Sequence, residues 1–193
     1  MNKTAAKMAF NDTVELAARL AAFATSRSHA IERDTPIQRV SEQLAHRDLI
    51  AISLSVRRLA EISDTQVTAK NTFVSQVRPY ASLERAGFYP IKKKFSVWKL
   101  IGVIIHHQEF EVFKDDAKVR IALGAGKGDF YEMYKIALSK RHIDAVCMVK
   151  SDESELVLFA VADYIQSIAK IIEVTEQKLG DLDVYVGAYE SDD

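Results

Sequence analysis

Residues 95–113, FSVWKLIGVIIHHQEFEVF, constrain the fold most, because their apolar period changes partway along. Val97, Trp98, Ile101, Ile104 and Ile105 follow the i, i+3, i+4, i+7 spacing of a buried helix. Beyond His107, Phe110 and Val112 alternate with polar residues, which is the pattern of a strand. The chain therefore passes directly from a helix into a strand, and the sheet can pack on that helix or extend away from it. The helical half also carries a thin polar seam of Ser96, Lys99, Gly102 and His106. At 100° per residue, Lys99 and His106 fall within about 20° of each other and about 10 Å apart. A cation and an imidazole on one side of an apolar helix mark a candidate site.

Around this segment the chain reads as predominantly helical. Asn11 or Asp12 caps a first helix whose apolar face (Val14, Leu16, Ala17, Leu20, Ala21, Phe23) runs to about Ala30. Thr35, which precedes Pro36, is pushed out of helical space and breaks the pattern. A second helix over residues 37–62 has Leu49, Ile52, Val56 and Leu59 as its main stripe, widened by Val40, Leu44, Ile50 and Leu54. With a short loop between them, the two form an antiparallel pair. Arg47 and Arg58 lie 11 residues apart, about 20° from each other on the helix wheel. Leu54 shares their face, which predicts partial cover for both, with Asp48 and Glu61 as ion partners. A third helix is predicted from Asp64 or Thr65 to about Tyr80, with Val67, Phe73, Val74 and Val77 as its apolar set, followed by a loop over 85–90 and the basic run Lys92-Lys93-Lys94.

The second half is strand-rich. Residues 109–114 and 118–123 suggest a hairpin around Asp115-Asp116, and 144–149 and 155–161 suggest two more strands. Residues 130–138 fit helix or strand equally. A last helix over 162–179 ends at Gly180. The sum is an α+β domain, mostly helical: an antiparallel helix bundle over about 11–107, then a small antiparallel sheet and C-terminal helix over about 108–182.

Composition narrows the function classes. The 26 basic and 27 acidic residues leave a net charge of −1, so any attraction for nucleic acid must come from a local patch. Among 193 residues there is a single cysteine, Cys147, in the apolar run AVCMV; it suits a reducing compartment and an inert core thiol. Neither a signal-type apolar region nor a run long enough to span a bilayer is seen, which predicts a cytoplasmic protein with no membrane partner.

Most motifs fail on spacing. The loop GAGKGD at 124–129 satisfies neither the phosphate-loop pattern nor G-x-G-x-x-G, and reads as a connection. His106, His107, Glu109, Glu111, His142 and Asp144 are potential metal ligands, but no pair has the spacing that sets two histidines on one helix face. We expect neither metal nor cofactor. No nucleophile elbow is present. The lysine–histidine seam remains. Metal-free RNA cleavage needs a base for the 2′-hydroxyl proton, which suits His106, and a cation for charge on the phosphoryl oxygens, which suits Lys99. Lys92, Lys93 and Lys94 would attract phosphate, and Phe95 or Trp98 could stack a base if exposed. The simpler assignment has Lys99 snorkelling and His106 capping its helix.

The segment Lys99-Leu-Ile-Gly-Val-Ile-Ile-His106 resembles the R-x4-6-H motif of the HEPN superfamily, with lysine in place of arginine. The run Ile-Ile-His-x-x-x-Phe and the long preceding helix with Arg47 and Arg58 are similar to members that have a small sheet after the motif helix. The resemblance implies a homodimer whose two motifs meet at the interface. It also implies RNA binding by Lys92–Lys94, Arg47 and Arg58, and a metal-independent RNase of the toxin–antitoxin or antiphage kind, with Lys99 and His106 as its catalytic pair. The alternative is a catalytically inactive homodimeric interaction protein of the same fold. Loss of the planar arginine fork weighs toward that alternative.

Overall fold

The computed structural model describes residues 3–25, 36–75, 77–83, 87–113, 145–151 and 155–180. The fold is α+β and mostly helical, as the periodicity predicts. Along the described chain run α1 (Lys3–Thr25), α2 (Pro36–Ile62), α3 (Gln66–Asn71), β1 (Arg78–Leu83), β2 (Gly87–Pro90), α4 (Val97–Ile105), β3 (His107–Phe113), β4 (Val146–Ser151), β5 (Glu155–Ala160) and α5 (Val161–Gly180). The hairpin partner expected over 118–123, the glycine loop, the ambiguous 130–138, and His142 and Asp144 lie outside the described residues.

α1 starts earlier than Asn11, because Ala5, Ala6, Lys7, Met8 and Ala9 favour helix and Ala6, Ala9 and Phe10 bury against Leu59 and Leu179. α1 and α2 run antiparallel: the Thr13 hydroxyl meets that of Ser55 at 2.8 Å, and Arg19 donates to Asp48 at 2.9 Å. On α2 the predicted stripe of Leu49, Ile52, Val56 and Leu59 is wholly buried, and Pro36 opens the helix where its missing N–H costs nothing. Of the residues predicted to widen that stripe, Ile50 packs against the core and the others do not. Val40, Leu44 and Leu54 are about half exposed, with Ile37 at 66%. Arg47 and Arg58 share this outward face and are exposed, not partly covered. Their expected partners are taken by others: Arg19 pairs with Asp48, and Arg57 with Glu61 at 3.1 Å.

The largest correction concerns residues 64–90. α3 covers only Gln66–Asn71, and Thr72 is already extended. The chain then bridges Phe73 to Ser96 and forms strands β1 and β2 where a helix end and a loop were predicted. Pro79 explains the difference, because it holds Arg78 extended. All pairings are antiparallel, in the order β2-β1-β5-β4-β3. Thus the region expected to hold a helix end and a loop supplies two of the five strands among the described residues. Central β5 is buried from Leu156 to Ala160 on both faces, and Cys147 on neighbouring β4 is fully buried, its thiol pushed to high pKa by desolvation.

α4 touches α2, α3, β3 and β4, and its Leu100, Ile101 and Ile104 join the sheet's Cys147, Val149 and Phe159 in one apolar core. A buried hydrogen bond of 2.8 Å between the Ser53 and Tyr164 hydroxyls ties α2 to α5. No helix among the described residues is long and apolar enough to cross a membrane.

Candidate functional site

The candidate residues gather at the two ends of α4. This helix has nine residues and spans about 13 Å. The sheet gives a similar separation, since β1 and β3 are three strand spacings apart, about 14 Å.

At the N-terminal end, the Ser96 side chain caps the helix by accepting from the Lys99 N–H at 3.3 Å. Two backbone bonds fasten the entry to the segment after α3: Val74 N–H donates to the Phe95 carbonyl at 2.9 Å, and Val97 N–H to that of Thr72 at 2.8 Å. These bonds shape a groove of about 870 Å³ between residues 73–80 and 91–95. Arg78, Lys92, Lys93 and Lys94 all line it, and no acidic side chain does among the described residues. The predicted basic run is therefore joined by an arginine from a strand that the sequence reading assigned to a helix. The Lys93 and Lys99 ammonium groups lie 5.7 and 4.8 Å from the Phe95 ring centroid, so the buried ring also holds cations at the groove edge. Tyr80 is nearly buried beneath, its hydroxyl raised to about 12 by desolvation against the opposing effect of Arg78, so it stays neutral.

The aromatic assignments change. Phe95 is 1% exposed and cannot take a base. Trp98 is half-buried with Arg57 and Lys70 over its ring, at 5.6 and 5.7 Å. The open ring in the groove is Phe73, 55% exposed. Periodicity missed it because Phe73 and Val74 were read as one helical face. In extended backbone, neighbouring side chains point to opposite sides.

At the C-terminal end, His106 is the exposed cap residue of α4, its N–H donating to the Gly102 carbonyl at 3.0 Å. His107 turns inward, and its Nδ1–H donates to the Ile104 carbonyl at 2.6 Å. Its ring stands 6.1 Å from His46 of α2, with Phe110 4.6 Å from His46 and 5.3 Å from His107. His46 was not among the predicted site residues. The available signal is that it follows buried Ala45 and precedes Leu49 by three, at the edge of the α2 stripe. Its Nε2 is buried with no hydrogen-bond partner among the described residues. Burial, and then the charge of nearby His107, lower its pKa below the ordinary 6.5, so the ring is neutral at pH 7. Arg39, Glu42, Gln43 and Glu111 surround it in a cavity of about 350 Å³. No three potential metal ligands come together among the described residues.

Lys99 and His106 therefore point toward different neighbourhoods. Lys99 reaches back toward the α4 N-terminus, as helical side chains do, with its ammonium over the Phe95 ring. His106 stays at the other end. Arg47 and Arg58 line neither place. No family model, curated protein or solved structure matches this chain.

Proposed function

We propose that the chain binds RNA along the groove at the α4 N-terminus. The observation that supports this is the meeting of Arg78 with Lys92, Lys93 and Lys94 on one surface of a chain whose net charge is only −1. Such a local concentration of cations attracts a phosphate backbone by releasing its counterions, whatever the overall charge. The HEPN-like motif favours RNA among polyanions, and with it a toxin or antiphage setting in the cytoplasm. Replacing Lys92, Lys93 and Lys94 together by alanine should lower the slope of log affinity against log salt by about 2 for a single strand. An unchanged slope, or no binding by the wild type, removes this function.

The activity proposed with it is metal-independent cleavage. His106 takes the 2′-hydroxyl proton, the freed oxygen attacks phosphorus to close a 2′,3′-cyclic phosphate, the P–O5′ bond breaks with the 5′-oxygen taking a proton from water, and Lys99 offsets charge on the phosphoryl oxygens. Because Lys99 leans away from His106 within one chain, this chemistry calls on the facing motif of a second copy. RNA incubated with chelator should be degraded by the wild type and spared by His106→Ala. Equal degradation, or none by either, leaves the alternative of an inactive interaction protein.

One observation supports the homodimer that both readings share. Ile37, Val40, Leu44, Arg47, Ala51, Leu54 and Arg58 repeat at 3- and 4-residue steps on the outward face of α2, and four of them are large exposed apolar residues. That is the seam of a helix that pairs with another helix. A dimeric mass in solution, reduced to monomer by Leu44→Glu, is the result this reading expects.

A further inference from the structure

Phe73 is held outside the core by its backbone. Its bridge to Ser96, flanked by the Val74–Phe95 and Val97–Thr72 bonds, fixes the extended alternation that sends Val74 inward, 7% exposed, and leaves Phe73 outside. The ring cannot retreat into the core without breaking this bridge. It is also the one large apolar side chain among the described groove residues that is mostly open, and Arg78, Lys92, Lys93 and Lys94 line the same groove. A protein partner would be expected to meet a wider apolar patch, and a simple anion would have no use for the ring. A nucleotide with a free base offers both a phosphate for the lysines and a flat face for the phenyl ring.

We propose that Phe73 is a stacking platform for an unpaired nucleobase, so that the groove selects single-stranded over double-stranded RNA. This inference rests on the RNA-binding reading of the same groove and assigns its substrate class. In a duplex each base is already stacked and its face is hidden, so the ring gains nothing there, whereas every base of a flexible strand can present a face. The selection is by strandedness and tolerates any sequence.

The test measures binding of three probes of matched charge: an unstructured pyrimidine RNA, the corresponding duplex, and inorganic polyphosphate. The wild type should prefer the single strand. Phe73→Ala should weaken that probe by about 5- to 150-fold and leave polyphosphate unchanged, while Phe73→Trp restores binding. Because the ring is exposed, the alanine variant should keep the wild-type unfolding midpoint, which separates lost stacking from lost structure. If Phe73→Ala binds all three probes like the wild type, while the triple lysine variant weakens all three, the stacking role is overturned and the groove reading stands. If the alanine variant weakens polyphosphate as much as the single strand, Phe73 shapes the groove and stacks nothing. If the wild type binds no probe, both readings fall.

Discussion

The two ends of α4 treat charge in opposite ways. At the N-terminal end, arginine and lysine side chains carry fixed charge into an open groove, and the aromatic ring between them faces out. At the C-terminal end, His46 and His107 fold inward around Phe110, and burial holds His46 neutral. One end presents a cluster of cationic side chains. The other is a polar pocket in the wall of the core, with one buried nitrogen unpartnered among the described residues. The same nine-residue helix serves both, because its buried face anchors it, its entry is fastened to the segment after α3, and its exit runs into β3.

That comparison can be broken outright through the helix centre. Leu100 is fully buried, and Leu100→Ala should cost about 2–5 kcal/mol and degrade both ends together. Urea unfolding with RNA binding measured in parallel checks this. A variant that loses stability but binds RNA normally would show that the groove does not depend on α4.

Acid should separate the ends. His46 is held neutral in the fold, while in the unfolded chain it takes up a proton near 6.5. Below that value the unfolded state binds more protons, so stability falls as pH drops from about 6.5 through the lowered folded value. Arg39, Glu42, Glu111 and His107 face or adjoin the same ring. His46→Gln should flatten the fall between pH 7 and 5.5 in thermal unfolding, relative to the wild type. Superimposable pH profiles for the two proteins would remove His46 as the source. The salt dependence of groove binding should be the same in both.

The smallest effect is expected between the ends. A Cβ built on Gly102 meets nothing within 4 Å, so Gly102→Ala should stabilise α4 by about 1 kcal/mol through helix propensity. Both sites should keep their properties, and a loss of RNA binding would reveal that the groove needs a pliable helix.

Long apolar periodicity made α1, α2, α4 and α5 legible in the sequence, and the switch after His107 located β3. Residues 64–90 were misread because Val74 and Val77 are three apart and both buried, which fits a helical face. The contrary signals were Pro79 after Arg78 and the β-branched, aromatic run Thr72-Phe73-Val74. Helical spacing outweighed them on paper, while packing against β5 and α4 decided the fold. The lysine run was legible as a cation source, but its partner Arg78 and the open Phe73 depend on strand geometry that periodicity did not supply. His46 lay 61 residues from His107 in sequence, and no local pattern links them.

Cys147 gives the sheet a clock. Only a thiolate reacts readily, and this thiol is both fully buried and held protonated on β4. An alkylating reagent must wait for the strand to be uncovered. As the chain's single cysteine, it makes the labelling rate in native buffer a direct record of how often the sheet opens, with no engineered probe.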